Sequence, residues 1–326
     1  MTPLDNEPEL TAKLAFLRCP RSYPDQPATV DVIETHLSWV FMTPARVYKL
    51  KKPLRYDFLD FSSLAARQRN CEEEVRLNRM LAPAVYLGVE ALRVDAQGRL
   101  TLVGAGTAVE YLVVMQRLRD ERSLQSQLSR GVVQAREVDL AAERLSDFYL
   151  DAEPERAPPT DKLKDELAQQ AEELAELLPT LSPLVHALWE RVQDWLAQNH
   201  AVLGQRKVIE AHGDLRPQHI YLGQTPLFID RLEFSRRLRL LDPVEELAFL
   251  ALECERQGGA WVGERFLEIY RRRSGDNPPA GLVGFYKARR ALLWALLSAR
   301  HLSRGGGREW TQRTEHYLRL GLAALA

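Results

Sequence analysis

The sequence predicts an α+β protein of two lobes, a small antiparallel β-rich lobe with one helix and a larger, mainly helical lobe. Short apolar runs separated by tight turns occupy residues 30–117, a pattern typical of antiparallel strands. Segments rich in Ala, Leu and Glu dominate residues 118–326, and their apolar positions recur with helical spacing. Residues 1–29 contain five prolines, so we expect an N-terminal arm before the first lobe.

The first lobe begins with three short strands joined by tight turns, which we expect to pair as an antiparallel meander. A helix follows the third strand and carries its apolar residues mainly on one side. Asp95 and Gly98 mark a further hairpin turn between two later strands. The predicted strands are residues 32–36, 39–42, 46–51, 85–92, 100–103 and 109–115, and the predicted helix is residues 63–81.

The composition is that of an ordinary globular protein. The 326 residues are 45% hydrophobic and carry a formal net charge of −1, so no nucleic-acid partner is implied. Three cysteines without Cys-x-x-Cys spacing argue against a zinc site or a disulfide framework and suit a reducing compartment. The sequence has no signal-like run and no uninterrupted apolar stretch of about 18 residues. We therefore expect a cytoplasmic protein with no membrane partner.

The strongest chemical signal is an aspartate loop followed by a short hairpin. Residues 212–220 read His-Gly-Asp-Leu-Arg-Pro-Gln-His-Ile, and a second apolar run ends in Asp230. Phosphoryl transfer needs one carboxylate to orient the attacking hydroxyl and another to hold magnesium. The hairpin supplies both, so the sequence predicts Asp214 as the catalytic base and Asp230 as a Mg²⁺ ligand.

A phosphate-binding lysine and its helical partner are expected upstream of that loop. Lys49, Lys51 and Lys52 are the candidates. Lys49 and Lys51 share one face of the third strand because side chains alternate along a strand. We prefer Lys49, since the residue two positions earlier lines the nucleotide-base pocket in the protein-kinase pattern, and Val47 is suitably apolar. We prefer Glu74 to its neighbour Glu73 as the partner, because Glu74 adjoins the apolar stripe of the helix.

Two further segments are candidate nucleotide contacts. Thr35 and Ser38 lie in the turn between the first two strands, where hydroxyl and backbone N–H groups can cradle phosphate oxygens. That turn contains no glycine, and an ordinary hairpin is the alternative interpretation. Met115, Gln116 and Leu118 lie at the predicted connector beside the adenine, although Met115 is equally well explained as a core residue. The sequence has no G-x-x-x-x-G-K-[ST] motif, which excludes a P-loop ATPase.

One position departs from the protein-kinase pattern. The kinase catalytic loop has an asparagine five residues after its aspartate, whereas this chain has His219 there. We predict that His219 occupies the second metal position, even though Mg²⁺ prefers oxygen ligands. We expect His212 to support the loop by hydrogen bonding.

With these residues in place, the sequence resembles the aminoglycoside phosphotransferase family, which has a bilobal protein-kinase-like fold. The family's H-G-D-L-x-x-x-N-I corresponds to residues 212–220, and its apolar-I-D segment corresponds to residues 228–230. The similarity extends over about residues 30–255 and is greatest to a bacterial subgroup of undefined substrate. It departs at His219 and at Glu246, where an aspartate is usual. The resemblance implies ATP or GTP, Mg²⁺ and transfer of the γ-phosphate to a hydroxyl of a small molecule.

Two functions from different classes fit these residues. His219 and the glycine-free turn favour a degenerate kinase-like protein that binds nucleotide or acts as a scaffold without turnover. An active small-molecule kinase is favoured by the retention of Lys49, Glu74, Asp214 and Asp230. Protein phosphorylation is a weaker option, because the eleven residues between Asp230 and Asp242 form no recognisable activation segment. The sequence specifies neither the acceptor nor the oligomeric state.

Overall fold

The structure, a computed structural model, describes residues 9–56, 58–156, 162–302 and 307–326. The chain divides into two compact units. Unit 1 comprises Met1–Asp120 together with Phe228–Arg236, and unit 2 comprises Glu121–Leu227 together with Arg237–Ala326. The first eight residues of the predicted arm lie outside the described residues. The lobe boundary predicted between residues 117 and 118 stays a prediction.

Strands predominate in the first third of the chain and helices in the rest. The helices are α1 (Leu10–Arg18), α2 (Leu64–Asn78), α3 (Leu124–Arg130), α4 (Ala135–Asp151), α5 (Leu163–Leu177), α6 (Ser182–Gln205), α7 (Arg236–Arg239), α8 (Pro243–Arg256), α9 (Ala260–Ser274), α10 (Leu282–Leu302) and α11 (Arg308–Ala324). The strands are β1 (Asp31–Glu34), β2 (Ser38–Met42), β3 (Arg46–Lys51), β4 (Arg55–Tyr56), β5 (Leu59–Asp60), β6 (Tyr86–Val94), β7 (Leu100–Thr101), β8 (Thr107–Gln116), β9 (Glu155–Arg156), β10 (Lys207–Glu210), β11 (Ile220–Tyr221), β12 (Leu227–Phe228) and β13 (Leu240–Leu241).

A six-stranded antiparallel sheet is the main element of unit 1. Its strand order is β1-β2-β3-β8-β6-β7. Lys49 of β3 pairs with Val40 of β2 on one side and with Val113 of β8 on the other. Because β3 has a hydrogen-bonded neighbour on both edges, the register of its side chains is fixed from both sides.

The two faces of β3 have different neighbours, because successive side chains of a strand point to opposite faces. Tyr48 and Leu50 are buried in the apolar cluster of unit 1. Lys49 and Lys51 lie on the other face and both contact Glu74 of α2, a helix that packs against β6 and β8. The strand therefore contributes to the core with one face and to a charged cluster with the other.

Unit 2 is mainly helical, and α8 is buried along almost all of its length. This helix packs against α9 and α10. Asp242 caps its start, since the Oδ1 atom of Asp242 accepts a hydrogen bond from the Val244 N–H at 2.9 Å. Arg206 in turn donates to both carboxylate oxygens of Asp242, at 2.6 and 3.0 Å. The cap and the ion pair together fix where α8 begins.

The α+β fold class predicted from the sequence is confirmed, with small differences at element ends. β1 ends at Glu34 instead of residue 36, because Thr35 belongs to the turn, where its N–H donates to the Ser38 carbonyl at 2.8 Å. α2 ends at Asn78 instead of residue 81. The meander, the helix and the mainly helical remainder of the chain follow the predicted order, but two short strands that were not predicted, β4 and β5, lie between β3 and α2.

Cys19, Cys71 and Cys254 are free thiols. Among the described residues, no helix combines the length and the apolar character needed to cross a lipid bilayer.

Leu112 lies at a central position in the sheet of unit 1, and we expect its truncation to lower the stability of the fold. Its side chain is 0% exposed, so the Leu112→Ala variant loses buried apolar contacts and leaves a cavity. We expect the free energy of unfolding, measured by urea denaturation, to fall by about 2–5 kcal/mol. Leu87→Ala is the matched control, because Leu87 is 47% exposed. Equal losses in the two variants would contradict the assignment of Leu112 to the core.

Candidate active site

Lys49 joins two of the other predicted site residues within unit 1. Its Nζ atom donates to Glu74 Oε1 at 2.9 Å and to Asp230 Oδ1 at 2.8 Å. These partners lie 25 and 181 positions away in the sequence, on α2 and on the segment that follows β12. The structure therefore brings together the predicted phosphate-binding lysine, its helical carboxylate and the predicted metal ligand.

Lys51 contacts the same glutamate from the next position on this face of β3. The Nζ atom of Lys51 donates to Glu74 Oε2 at 2.6 Å and to Glu233 Oε1 at 2.5 Å. The side chain of Lys51 is 1% exposed and that of Glu74 is 0% exposed. The two lysines therefore divide the Glu74 carboxylate between them. The alternation of side chains along the strand correctly indicated that both lysines lie on one face. The preference for Lys49 alone, however, missed the contact between Lys51 and Glu74.

Electrostatics favours the charged forms of Lys49, Lys51 and Glu74. Burial opposes the charge on Lys49, but Asp230 and Glu74 outweigh it and hold the pKa of Lys49 well above its ordinary value. Burial likewise opposes the charge on Lys51, and Glu233 and Glu74 raise its pKa. Burial favours the protonated form of Glu74, yet the two lysines lower its pKa. At neutral pH the cluster thus holds two ammonium groups around an ionised Glu74.

The backbone at Asp230 adopts a conformation that is unusual for a residue with a side chain. Its φ angle is 60°, which lies in the left-handed region and costs on the order of 1–3 kcal/mol. The Asp230 N–H donates to Tyr86 Oη at 3.0 Å. The Arg231 N–H donates to Asn78 Oδ1 at 2.8 Å, and Asn78 Nδ2 donates to the Arg231 carbonyl at 3.2 Å. Sequence reasoning missed Tyr86 and Asn78, whose partners are distant in the chain.

The loop that contains Asp214 lies in unit 2 and is held by a buried carboxylate of α8. Gly213 has a φ angle of 89°, a conformation that glycine adopts without a steric penalty. Glu246 accepts hydrogen bonds from the N–H groups of His212 at 3.0 Å and Gly213 at 2.6 Å. The Tyr149 hydroxyl adds a third at 2.6 Å. Glu246, noted above as a departure from the family pattern, therefore fixes the backbone just before Asp214.

Asp214 and His219 contact each other within this loop. The Nδ1 atom of His219 lies 2.8 Å from the Asp214 carbonyl oxygen. A carbonyl oxygen can only accept, so Nδ1 carries the proton and the lone pair of a neutral ring is on Nε2. Arg216 donates to Asp214 Oδ2 at 2.5 Å, a contact that sequence reasoning missed. His212 Nδ1 accepts from the Asp214 N–H at 3.3 Å, in agreement with the expected support of the loop.

The candidate nucleotide contacts lie at two places in unit 1. The Thr35 Oγ1 atom accepts from the Ser38 N–H at 3.0 Å, so this hydroxyl stabilises the hairpin turn, and Ser38 itself is buried. Met115 and Gln116 end β8 and pair with Val47 and Arg46. Leu118 follows two residues later and is half-buried. The roles of these residues in nucleotide binding stay predictions.

Comparison with known proteins finds relatives in sequence and in structure. No family model matches the chain. An uncharacterized protein of Mycobacterium tuberculosis is 34% identical over 287 residues, which are 85% of this chain and 56% of that protein. An uncharacterized protein of Mycobacterium bovis matches to the same extent. The chain thus spans about half the length of these curated relatives.

Solved structures identify the fold. A GDP complex of an aminoglycoside 2'-phosphotransferase IIIa variant has a TM-score of 0.61 at 16% identity, covering 96% of this chain and 97% of the other. The chain has the protein-kinase-like fold of the aminoglycoside phosphotransferases. A choline/ethanolamine kinase family protein from Mesorhizobium loti has a TM-score of 0.55 at 16% identity, covering 97% and 99%. Choline kinase from Streptococcus pneumoniae has a TM-score of 0.52 at 16% identity, covering 90% and 94%. The resemblance inferred from the sequence is confirmed for the fold.

The buried hydrogen bonds of Glu246 should contribute measurably to the stability of the protein. Glu246→Leu leaves the Tyr149 hydroxyl and two backbone N–H groups without this buried acceptor. We expect the free energy of unfolding in urea to fall by about 3 kcal/mol or more. Glu172→Leu, on the exposed face of α5, is the control and should change it by no more than about 0.5 kcal/mol. A loss in Glu246→Leu as small as that of the control would contradict the role of Glu246.

Proposed function

We propose that this protein is a phosphotransferase that moves the γ-phosphate of ATP or GTP to a hydroxyl of a small molecule. The observation that carries the proposal is the contact of Lys49 with both Glu74 and Asp230. A lysine that is held by a helical carboxylate and lies beside a metal-binding aspartate is the arrangement used for phosphates and Mg²⁺ in kinase-type transfer. The GDP complex among the structures that share this fold supports a purine nucleotide as the donor.

In this proposal the two aspartates have separate tasks. Asp214 accepts the proton of the acceptor hydroxyl, whose oxygen forms a bond with the γ-phosphorus while the bond to the β–γ bridging oxygen breaks. The products are the phosphorylated acceptor and ADP or GDP. Arg216 orients the Asp214 carboxylate through its 2.5 Å contact, and Glu246 fixes the preceding backbone. Asp230 would hold a divalent metal, which would neutralise charge on the phosphates.

The residues fit a divalent metal, with one preference that differs from the usual kinase site. The carboxylate of Asp230 is an oxygen ligand that suits Mg²⁺ and Mn²⁺. His219 at the second metal position would offer an imidazole nitrogen, which transition metals accept more readily than Mg²⁺ does. A histidine whose other ring nitrogen donates to a backbone carbonyl has the orientation typical of metal ligands. We infer a preference for Mn²⁺ over Mg²⁺.

A nucleotide-binding protein without turnover is the second candidate function. His219 is the observation that favours it, because histidine replaces the asparagine of the kinase pattern at this position. The two candidates share nucleotide binding and differ only in transfer, so turnover with a panel of small-molecule acceptors distinguishes them. A wild-type protein that binds no nucleotide with either Mg²⁺ or Mn²⁺ would exclude both.

Substitution of Asp214 tests the assignment of the base. Asp214→Asn keeps the shape of the side chain but cannot accept the proton, so we expect turnover to fall by about 10²–10⁴-fold. Nucleotide affinity, measured by equilibrium dialysis, should stay within about twofold of wild type. Asp165→Asn on the exposed face of α5 is the control. Undiminished turnover in Asp214→Asn would remove Asp214 from the mechanism.

Substitution of His219 tests the metal preference. We expect His219→Asn to increase the ratio of turnover with Mg²⁺ to turnover with Mn²⁺ by on the order of tenfold. Mn²⁺ affinity in the presence of nucleotide, followed by electron paramagnetic resonance, should weaken in the same variant. His316→Asn, at an exposed position of α11, should change neither quantity. Unchanged Mn²⁺ affinity in His219→Asn would show that His219 is not a ligand.

A further inference from the structure

Five charged side chains of unit 1 form a row of four ion pairs in which the sign alternates. In order they are Asp230, Lys49, Glu74, Lys51 and Glu233. The successive Nζ-to-oxygen distances are 2.8, 2.9, 2.6 and 2.5 Å. Asp230 and Glu233 lie three positions apart on one segment, so the backbone between them joins the two ends of the row. Both carboxylates of the segment therefore bind lysines of β3, and the same two lysines bind Glu74 of α2.

The two ion pairs that hold this segment, Asp230 with Lys49 and Glu233 with Lys51, differ in their exposure to solvent. The side chain of Asp230 is 41% exposed and that of Lys49 is 15% exposed. The side chains of Lys51 and Glu233 are 1% and 8% exposed, and Lys51 Nζ also lies 5.1 Å from the centre of the Phe61 ring. A ligand from solvent therefore meets the ion pair of Lys49 and Asp230 first, while the pair of Lys51 and Glu233 is shielded.

The charges of the row suit an exchange at its exposed pair. A divalent cation can bind the Asp230 carboxylate, and a phosphate oxygen can replace Asp230 as the partner of Lys49. Glu74 would keep both of its lysines during this exchange. Lys51 would likewise keep its contacts with Glu74 and Glu233.

We propose that Lys51 and Glu233 form a latch that positions Asp230, while the ion pair of Lys49 and Asp230 is the contact that opens when metal and nucleotide bind. The identity of these ligands rests on the proposed function, but the latch itself is a property of the ligand-free protein. Lys51 and Glu233 are positioning residues, because they act on the metal through Asp230. Stability alone is a poor reason for such a pair, since apolar residues of similar volume stabilise a buried site as well or better.

Amide hydrogen exchange of the nucleotide-free protein tests the latch directly. The reporters are the N–H groups of Asp230 and Arg231, which donate to Tyr86 and Asn78. We expect Lys51→Met to accelerate their exchange by about tenfold or more. Lys49→Met should accelerate it much less, because the exposed ion pair is not the latch. The control is Lys13→Met, another buried lysine of unit 1, which donates to the Val109 carbonyl at 2.7 Å.

A double variant separates positioning from a general loss of stability. Lys51→Met with Glu233→Leu removes both charges of the shielded pair, so Glu233 no longer stays buried without Lys51, and we expect the thermal midpoint to recover part of the loss seen in Lys51→Met. Exchange at Asp230 and Arg231 should nevertheless stay fast. Slow exchange in the double variant, or equal acceleration by Lys49→Met and Lys51→Met, would overturn the latch.

Nucleotide affinity with and without Mn²⁺ provides the second measurement, with a fluorescent ATP analogue as the probe. In wild type we expect the metal to increase affinity, and in Lys51→Met this increase should shrink about tenfold while metal-free binding changes little. An undiminished metal effect in Lys51→Met would refute the positioning of Asp230. A wild-type protein that binds no nucleotide would instead refute the proposed function, and the exchange experiment would still decide on the latch.

Discussion

The fully buried carboxylate of Glu74 is the constraint on which the charged cluster of unit 1 depends. A buried carboxylate is costly unless ammonium groups and hydrogen bonds satisfy its oxygens. Lys49 takes one oxygen and Lys51 takes the other. Both lysines must therefore lie on the face of β3 that looks toward α2, which places Tyr48 and Leu50 in the apolar cluster on the opposite face. The register of the strand and the position of the helix thus satisfy one electrostatic requirement.

The buried carboxylate of Glu246 has a comparable structural role in unit 2. Glu246 receives two backbone N–H groups from the loop that leads to Asp214 and a hydroxyl from Tyr149. Burial raises the pKa of Glu246, while these three hydrogen bonds act to lower it. In both units, then, a buried carboxylate fixes the backbone or side chains of residues with a proposed chemical role. Each is placed by a helix that packs within its own unit.

The sequence predicted the parts of this arrangement that local patterns encode. Strand alternation placed Lys49 and Lys51 on one face, and helical periodicity placed Glu74 at the edge of the apolar stripe. The fold class followed from the order of strands and helices. Long-range contacts could not be predicted, because Asn78 and Arg231 are 153 positions apart and neither has a local signal. The burial of Lys51 was missed for a similar reason, since an isolated lysine is normally expected at the surface.

In the proposed exchange, Lys49 replaces Asp230 with a phosphate oxygen and Asp230 binds a metal ion. A crystal structure with Mn²⁺ and a non-hydrolysable ATP analogue tests this most directly, because the anomalous signal of manganese locates the ion. We expect manganese on the Asp230 carboxylate and Lys49 Nζ on a phosphate oxygen, with Lys51 still between Glu74 and Glu233. A bound nucleotide whose phosphates lie away from Lys49, with the Lys49–Asp230 ion pair intact, would contradict it.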